Sequence, residues 1–132
     1  MDLRERRSLL SSKPNPDQRL DYVCSLGAPI QASIATSTLQ FRVRYVPDRV
    51  ILTPESLDTY LDKVGNIQWT SLEDLAVAIL NDINDELIAR WIEVSLTVEK
   101  DNQFHDVVLE ERQPEWEDRG ILSRLPTSRP DS

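Results

Sequence analysis

The strongest constraint on the fold is a change of hydrophobic period along the chain, from two residues to 3.6 and back to two. Leu39, Phe41, Val43 and Tyr45 alternate with Gln40, Arg42 and Arg44, which puts the apolar side chains on one face of a strand. Leu72, Leu75, Ala76, Ile79, Leu80, Ile83 and Leu87 follow i, i+3, i+4, i+7 spacing, an apolar stripe down one side of a helix. Ile92, Val94, Leu96 and Val98 then alternate with Glu93, Ser95 and Thr97. Lys100-Asp101-Asn102 is a turn with hairpin chemistry, and Phe104 to about Arg112 returns as the partner strand.

Local signals fill in the rest. Pro47-Asp48 turns the chain ahead of a short extended stretch, Val50 to Leu52. Thr53-Pro54-Glu55 opens a helix, with Thr as cap and Pro at the first helical position, and Gly65-Asn66 stops it after about Val64. Thr70 and Glu73 have capping-box spacing at the start of the second helix. An earlier strand is expected over Asp21 to Leu26. The order strand, strand, helix, helix, strand, strand predicts an α+β fold, an antiparallel four-stranded sheet with two helices on one face. Such a sheet leaves its edges open, so a homo-oligomer is expected.

A length of 132 residues suits one domain. Residues 1–20 are polar and read as a flexible N-terminal arm, 21–113 as the folded domain, and 114–132 as a flexible C-terminal tail. Trp116, Ile121, Leu122 and Leu125 stand out in that tail, and a tail that keeps a Trp has something to dock on, its own body or a protein partner. The net charge of −8 argues against direct binding of nucleic acid, which needs clustered Lys and Arg. The first nineteen residues carry a small basic excess, five Lys and Arg against three Asp and Glu. A single cysteine, Cys24, rules out an internal disulfide framework. No apolar run approaches the ~18 residues of a membrane span. The expected location is therefore the cytoplasm.

Candidate chemistry is sparse. His105 is the sole histidine and Cys24 the sole cysteine, too few for a metal site. Cys24 has no positive or helix-terminal setting in the local sequence to activate it, and reads as a small buried hydrophobe. No Gly-rich phosphate loop and no Ser/His/Asp set at a motif spacing occurs, and three glycines exclude a Rossmann-type dinucleotide loop. Glu73 is the carboxylate of interest, with helix capping as its plainer role.

Tyr45-Val46-Pro47-Asp48, Ser56-Leu57, Tyr60-Leu61, Leu72-Glu73-Asp74, Asn81-Asp82-Ile83, Ile92-Glu93-Val94 and His105-Asp106-Val107-Val108 come in an order and spacing that resemble the QueF family. These are the NADPH-dependent 7-cyano-7-deazaguanine reductases of queuosine biosynthesis, a tRNA modification pathway. The resemblance covers most of residues 15–112. It implies a tunnelling fold, oligomeric barrels and nucleobase pockets at subunit interfaces. It also implies that Glu73 matches the family's substrate-binding Glu, a residue suited to accept from adjacent purine N–H donors. The family's preceding His is replaced by Leu72.

The same resemblance exposes losses. The family's Cys-Pro-x-Thr-Gly-x-Pro-Asp segment supplies a thioimide-forming Cys and a proton-handling Asp. Here the stretch reads Pro29-Ile30-Gln31-Ala32-Ser33-Ile34-Ala35-Thr36-Ser37-Thr38, with neither residue, and Cys24 lies too early. No catalytic residue is therefore assigned. Where the family has Glu-x-Lys-Ser, this chain has Thr53-Pro54-Glu55-Ser56, with Glu55 at the lysine position. Asp101 replaces the Arg of the family's Pro-Arg-Gly turn. Contacts for the NADPH cofactor are thus expected to be lost. The expectation is a catalytically degenerate QueF-like protein with a residual pocket for a purine-like molecule around Glu73. The alternatives are a divergent active enzyme of the deazaguanine pathway and a non-enzymatic scaffold or partner subunit.

Overall fold

A computed structural model describes residues 1–126. The chain runs α1 (Leu3–Ser8), β1 (Ser12–Pro14), β2 (Cys24–Ile30), β3 (Leu39–Val46), β4 (Val50–Leu52), α2 (Pro54–Val64), α3 (Leu72–Leu87), β5 (Trp91–Lys100), β6 (Gln103–Arg112) and a 3₁₀ turn at Leu122–Arg124. Strands β2, β3, β5 and β6 form, in that order, one antiparallel four-stranded sheet. The α+β class and the helix pair flanked by strands match the expectation from hydrophobic period.

The period works because it separates two faces. Phe41, Val43 and Tyr45 of β3 lie opposite Leu96, Val94 and Ile92 of β5. All six are buried with Leu75, Ile79 and Ile83 of α3 and Leu57 and Tyr60 of α2. Each such side chain contributes roughly 1.5–3 kcal/mol by leaving water. On β6 the register continues the pattern, with Leu109 opposite Val94 and Val107 opposite Leu96. Helix α2 begins at Pro54 and ends at Val64 with Gly65 as its C-cap, as read. Gly65 is required for a steric reason: a Cβ there would lie 2.4 Å from the Gln31 carbonyl oxygen.

Three expectations need correction. Residues 1–20 are not a loose arm. Helix α1 lies against α3, β1 pairs with β4, and Leu10 and Asn15 are buried. Arg6 and Arg7 both reach Asp82 on α3, so the arginines that made this segment look solvated are paired with a distant acid. The short stretch Val50–Leu52 accordingly belongs to a separate two-stranded ribbon, not to the main sheet. The first sheet strand spans Cys24–Ile30 instead of 21–26. Gly27 and Pro29 disguise it, although Leu26, Ala28 and Ile30 keep the alternation toward the helices.

The C-terminal segment, through Pro126, also packs on the body. Gln113 donates from Nε2 to Asp48 (2.9 Å) and to the Ile88 carbonyl (3.0 Å). Trp116 Nε1 donates to Asp21 Oδ2 (3.3 Å), and the Arg112 guanidinium lies 5.7 Å from the Trp116 ring centre, within cation–π range. Arg44 donates to the Pro126 carbonyl (2.9 Å). Arg44 is held in turn by Glu93 at 2.7 Å, a buried pair on the sheet face away from the helices. The expected flexible tail is thus docked as far as Pro126, and its remainder, 127–132, lies outside the described residues.

Candidate functional site

Glu73 sits in the first turn of α3. The capping box expected from Thr70 and Glu73 is displaced by one residue. Ser71 is the N-cap, and its Oγ accepts from the Asp74 amide at 3.0 Å. Thr70 Oγ1 donates to Asp74 Oδ2 at 3.1 Å. Ser71 and Asp74 therefore do the capping work, and Glu73 is released from it. Two adjacent hydroxyl residues, Thr70 and Ser71, made the register ambiguous in sequence.

The Glu73 side chain is 58% exposed and points to β6, where its Oε2 lies 2.9 Å from His105 Nε2. A carboxylate only accepts, so the imidazole donates from Nε2. A hydrogen bond from its own backbone amide, followed by that of His105, holds the Glu73 carboxyl below the ordinary Glu range. The alternation of β6 puts His105 on the same face as Val107 and Leu109, and its partner across the hairpin is Val98. Val98 also lines a cavity of about 190 Å³ with Ile34–Ser37 and Lys100. That is smaller than the ~300–1,000 Å³ of drug-sized pockets. Sequence reasoning named both Glu73 and His105 but did not join them, because strand and helix positions 32 residues apart carry no local sign of contact.

The other sequence candidates are disposed differently. Cys24 lies on β2 opposite Tyr45. Burial pushes its thiol upward, against a smaller opposing effect of the Tyr45 hydroxyl, so it favours the unreactive form. In the segment 31–38, the Ser33 hydroxyl is engaged with the Ile67 carbonyl at 2.8 Å, and its amide with the Gly65 carbonyl at 2.9 Å. Among the described residues no group of three His, Cys, Asp or Glu side chains is placed to hold a metal ion. Among the described residues no helix is long and apolar enough to cross a membrane.

The N-terminus of α2 is covered by the chain itself. Thr53 is its N-cap by backbone, but its side chain makes no capping bond. Instead Ser11 Oγ and Thr53 Oγ1 are 2.7 Å apart, the Ser11 amide donates to Ser56 Oγ at 3.0 Å, and the Thr53 amide donates to the Ser11 carbonyl at 3.0 Å. With Glu55 alongside, this end of the helix is tied down and acidic, a poor fit to the phosphate of a nicotinamide cofactor.

No protein-family model matches the chain. NADPH-dependent 7-cyano-7-deazaguanine reductases from two strains of Acidithiobacillus ferrooxidans are each 27% identical over 130 residues, covering 89% of this chain and 86% of the relative. The crystal structure of the archaeosine synthase QueF-Like in the apo form superposes with a TM-score of 0.57 at 16% identity, covering 73% of this chain and 95% of that one. The first likeness spans nearly the whole sequence, and the second is one of fold. The chain is similar to these reductases in sequence and shares the fold of the QueF-Like structure. The segment 31–38 of this chain has no Cys and no Asp.

Proposed function

We propose that this QueF-like chain is a catalytically degenerate relative of the 7-cyano-7-deazaguanine reductases that keeps a nucleobase-binding pocket at Glu73. The observation that carries the reading is the position of Glu73. Ser71 and Asp74 form the N-cap of α3, and the Glu73 carboxylate, which accepts from its own amide and from His105, stays exposed to solvent. A purine-like ring offering adjacent N–H groups can donate to it, in charge-assisted bonds that are stronger than neutral ones.

Loss of turnover follows from the residues around it. Reduction of a nitrile through a thioimide needs a placed thiolate, and Cys24 is half-buried on β2 with its thiol held in the protonated form. The covered, acidic N-terminus of α2 and Asp101 in the β5–β6 turn both disfavour NADPH, so no step is routed through that cofactor. The expected result is no NADPH oxidation, followed by absorbance, when the protein is mixed with 7-cyano-7-deazaguanine. Turnover abolished by Cys24→Ala would overturn the reading and make Cys24 a relocated nucleophile.

The reading also includes a cytoplasmic homo-oligomer. Strands β2 and β6 are the two outer strands of the sheet, and outer strands of this length, seven and ten residues, are normally paired or covered. Light scattering should report an assembly larger than a dimer, and a monomer at micromolar concentration would contradict this part. The scaffold alternative relied on Trp116 as an anchor for another protein. Its indole is engaged by Asp21 and Arg112 of the same chain.

A further inference from the structure

We infer that His105 is a positioning residue for the Glu73 carboxylate, and so a determinant of ligand affinity in its own right. The inference rests on the nucleobase reading of Glu73 and adds the residue that orients it. Three observations carry it. The two side chains come from different layers, Glu73 from the first turn of α3 and His105 from β6 of the sheet, and meet at 2.9 Å. Neither is committed to the N-cap or the core: the N-cap is formed by Ser71 and Asp74, and the Glu73 and His105 side chains are 58% and 49% exposed. The imidazole engages Oε2 and the Glu73 amide also bonds the carboxylate, so the group is held from two sides while it remains open to solvent.

An exposed glutamate at a helix start would otherwise rotate among several rotamers, and a ligand would have to select one of them. A hydrogen bond across layers removes that freedom before the ligand arrives. Val98 faces His105 across the hairpin and lines the small cavity beside segment 31–38. The ligand class is a planar heterocycle with adjacent N–H donors, for which guanine is the available probe.

Calorimetric titration of guanine into wild type, His105→Ala and His105→Gln tests this. Glutamine keeps an N–H donor of comparable reach, so His105→Gln should retain most of the affinity, while His105→Ala should lose about tenfold, with melting temperatures unchanged in both. In a Glu73→Gln background, His105→Ala should cause no further loss. Wild-type binding that His105→Ala leaves intact would overturn the role of His105 and leave the nucleobase reading standing. Equal loss in both His105 variants would overturn positioning through the donated hydrogen bond. Absence of guanine binding to wild type would overturn both readings together.

Discussion

Asp82→Ala is expected to destabilise the protein by about 3 kcal/mol. The Asp82 carboxylate is fully buried on α3. It accepts from Arg6 Nε (2.8 Å), Arg7 Nε (3.0 Å) and the Tyr60 hydroxyl (2.6 Å). Removing a buried ion-pair partner costs roughly 3–5 kcal/mol because the remaining charges are stranded. Arg6 and Arg7 keep 15% and 29% of their side chains exposed and can turn partly to water, which sets the expectation at the lower end of that range. Arg6 also lies 5.6 Å from the Trp69 ring centre, so α1 should loosen as a unit. Urea denaturation measures the loss, and proteolysis at the α1 arginines reports the release. A loss below about 1 kcal/mol, as for an exposed pair, would contradict this role.

The same cluster sets an acid limit. Burial alone would raise the Asp82 pKa, but the bonds from Arg6, Tyr60 and Arg7 outweigh it and hold the group below its ordinary value. The unfolded chain therefore binds the proton more readily than the folded one. The stabilisation is present above the unfolded value of about 3.9 and is lost as pH falls through the lower folded value. Wild type should lose stability steeply below about pH 4, and the Ala variant should lack the Asp82 share of that slope.

The second large effect is on binding. Glu73→Gln should reduce affinity for 7-cyano-7-deazaguanine at least roughly tenfold, since hydrogen bonds to a charged group are each worth ~1.5–3 kcal/mol. The melting temperature should hardly move, because Ser71 and Asp74 carry the cap. Equal binding by both proteins would return Glu73 to the surface as a solvated residue. A fall in melting temperature of several degrees would mean that it does cap the helix after all.

How much of this was legible in the sequence depends on how local each signal is. The alternation at 39–45 and 92–98 and the stripe at 72–87 are local, and sheet and helices follow them. The role of residues 1–20 was hidden because Arg6 and Arg7 find their acid on α3, 76 and 75 residues away. A polar run reads the same whether water or a buried carboxylate solvates it. The cap of α3 was misplaced by one residue, since Thr70 and Ser71 are equally good acceptors by type and only the backbone turn chooses between them. Glu73 was visible through family resemblance. Its link to His105 was not, because a strand position gives no notice of which helix end it will face. The docking of Trp116 was half legible: an indole in a polar tail signals a contact, but not that Asp21 and Arg112 supply it.

The most direct test of the central claim is calorimetric titration of wild-type protein with 7-cyano-7-deazaguanine in the absence of NADPH. A degenerate reductase with a retained pocket should give saturable heat of binding that dilution reverses. A flat titration at protein concentrations high enough to detect millimolar affinity would contradict it, and with it the claim that Glu73 marks a surviving nucleobase site.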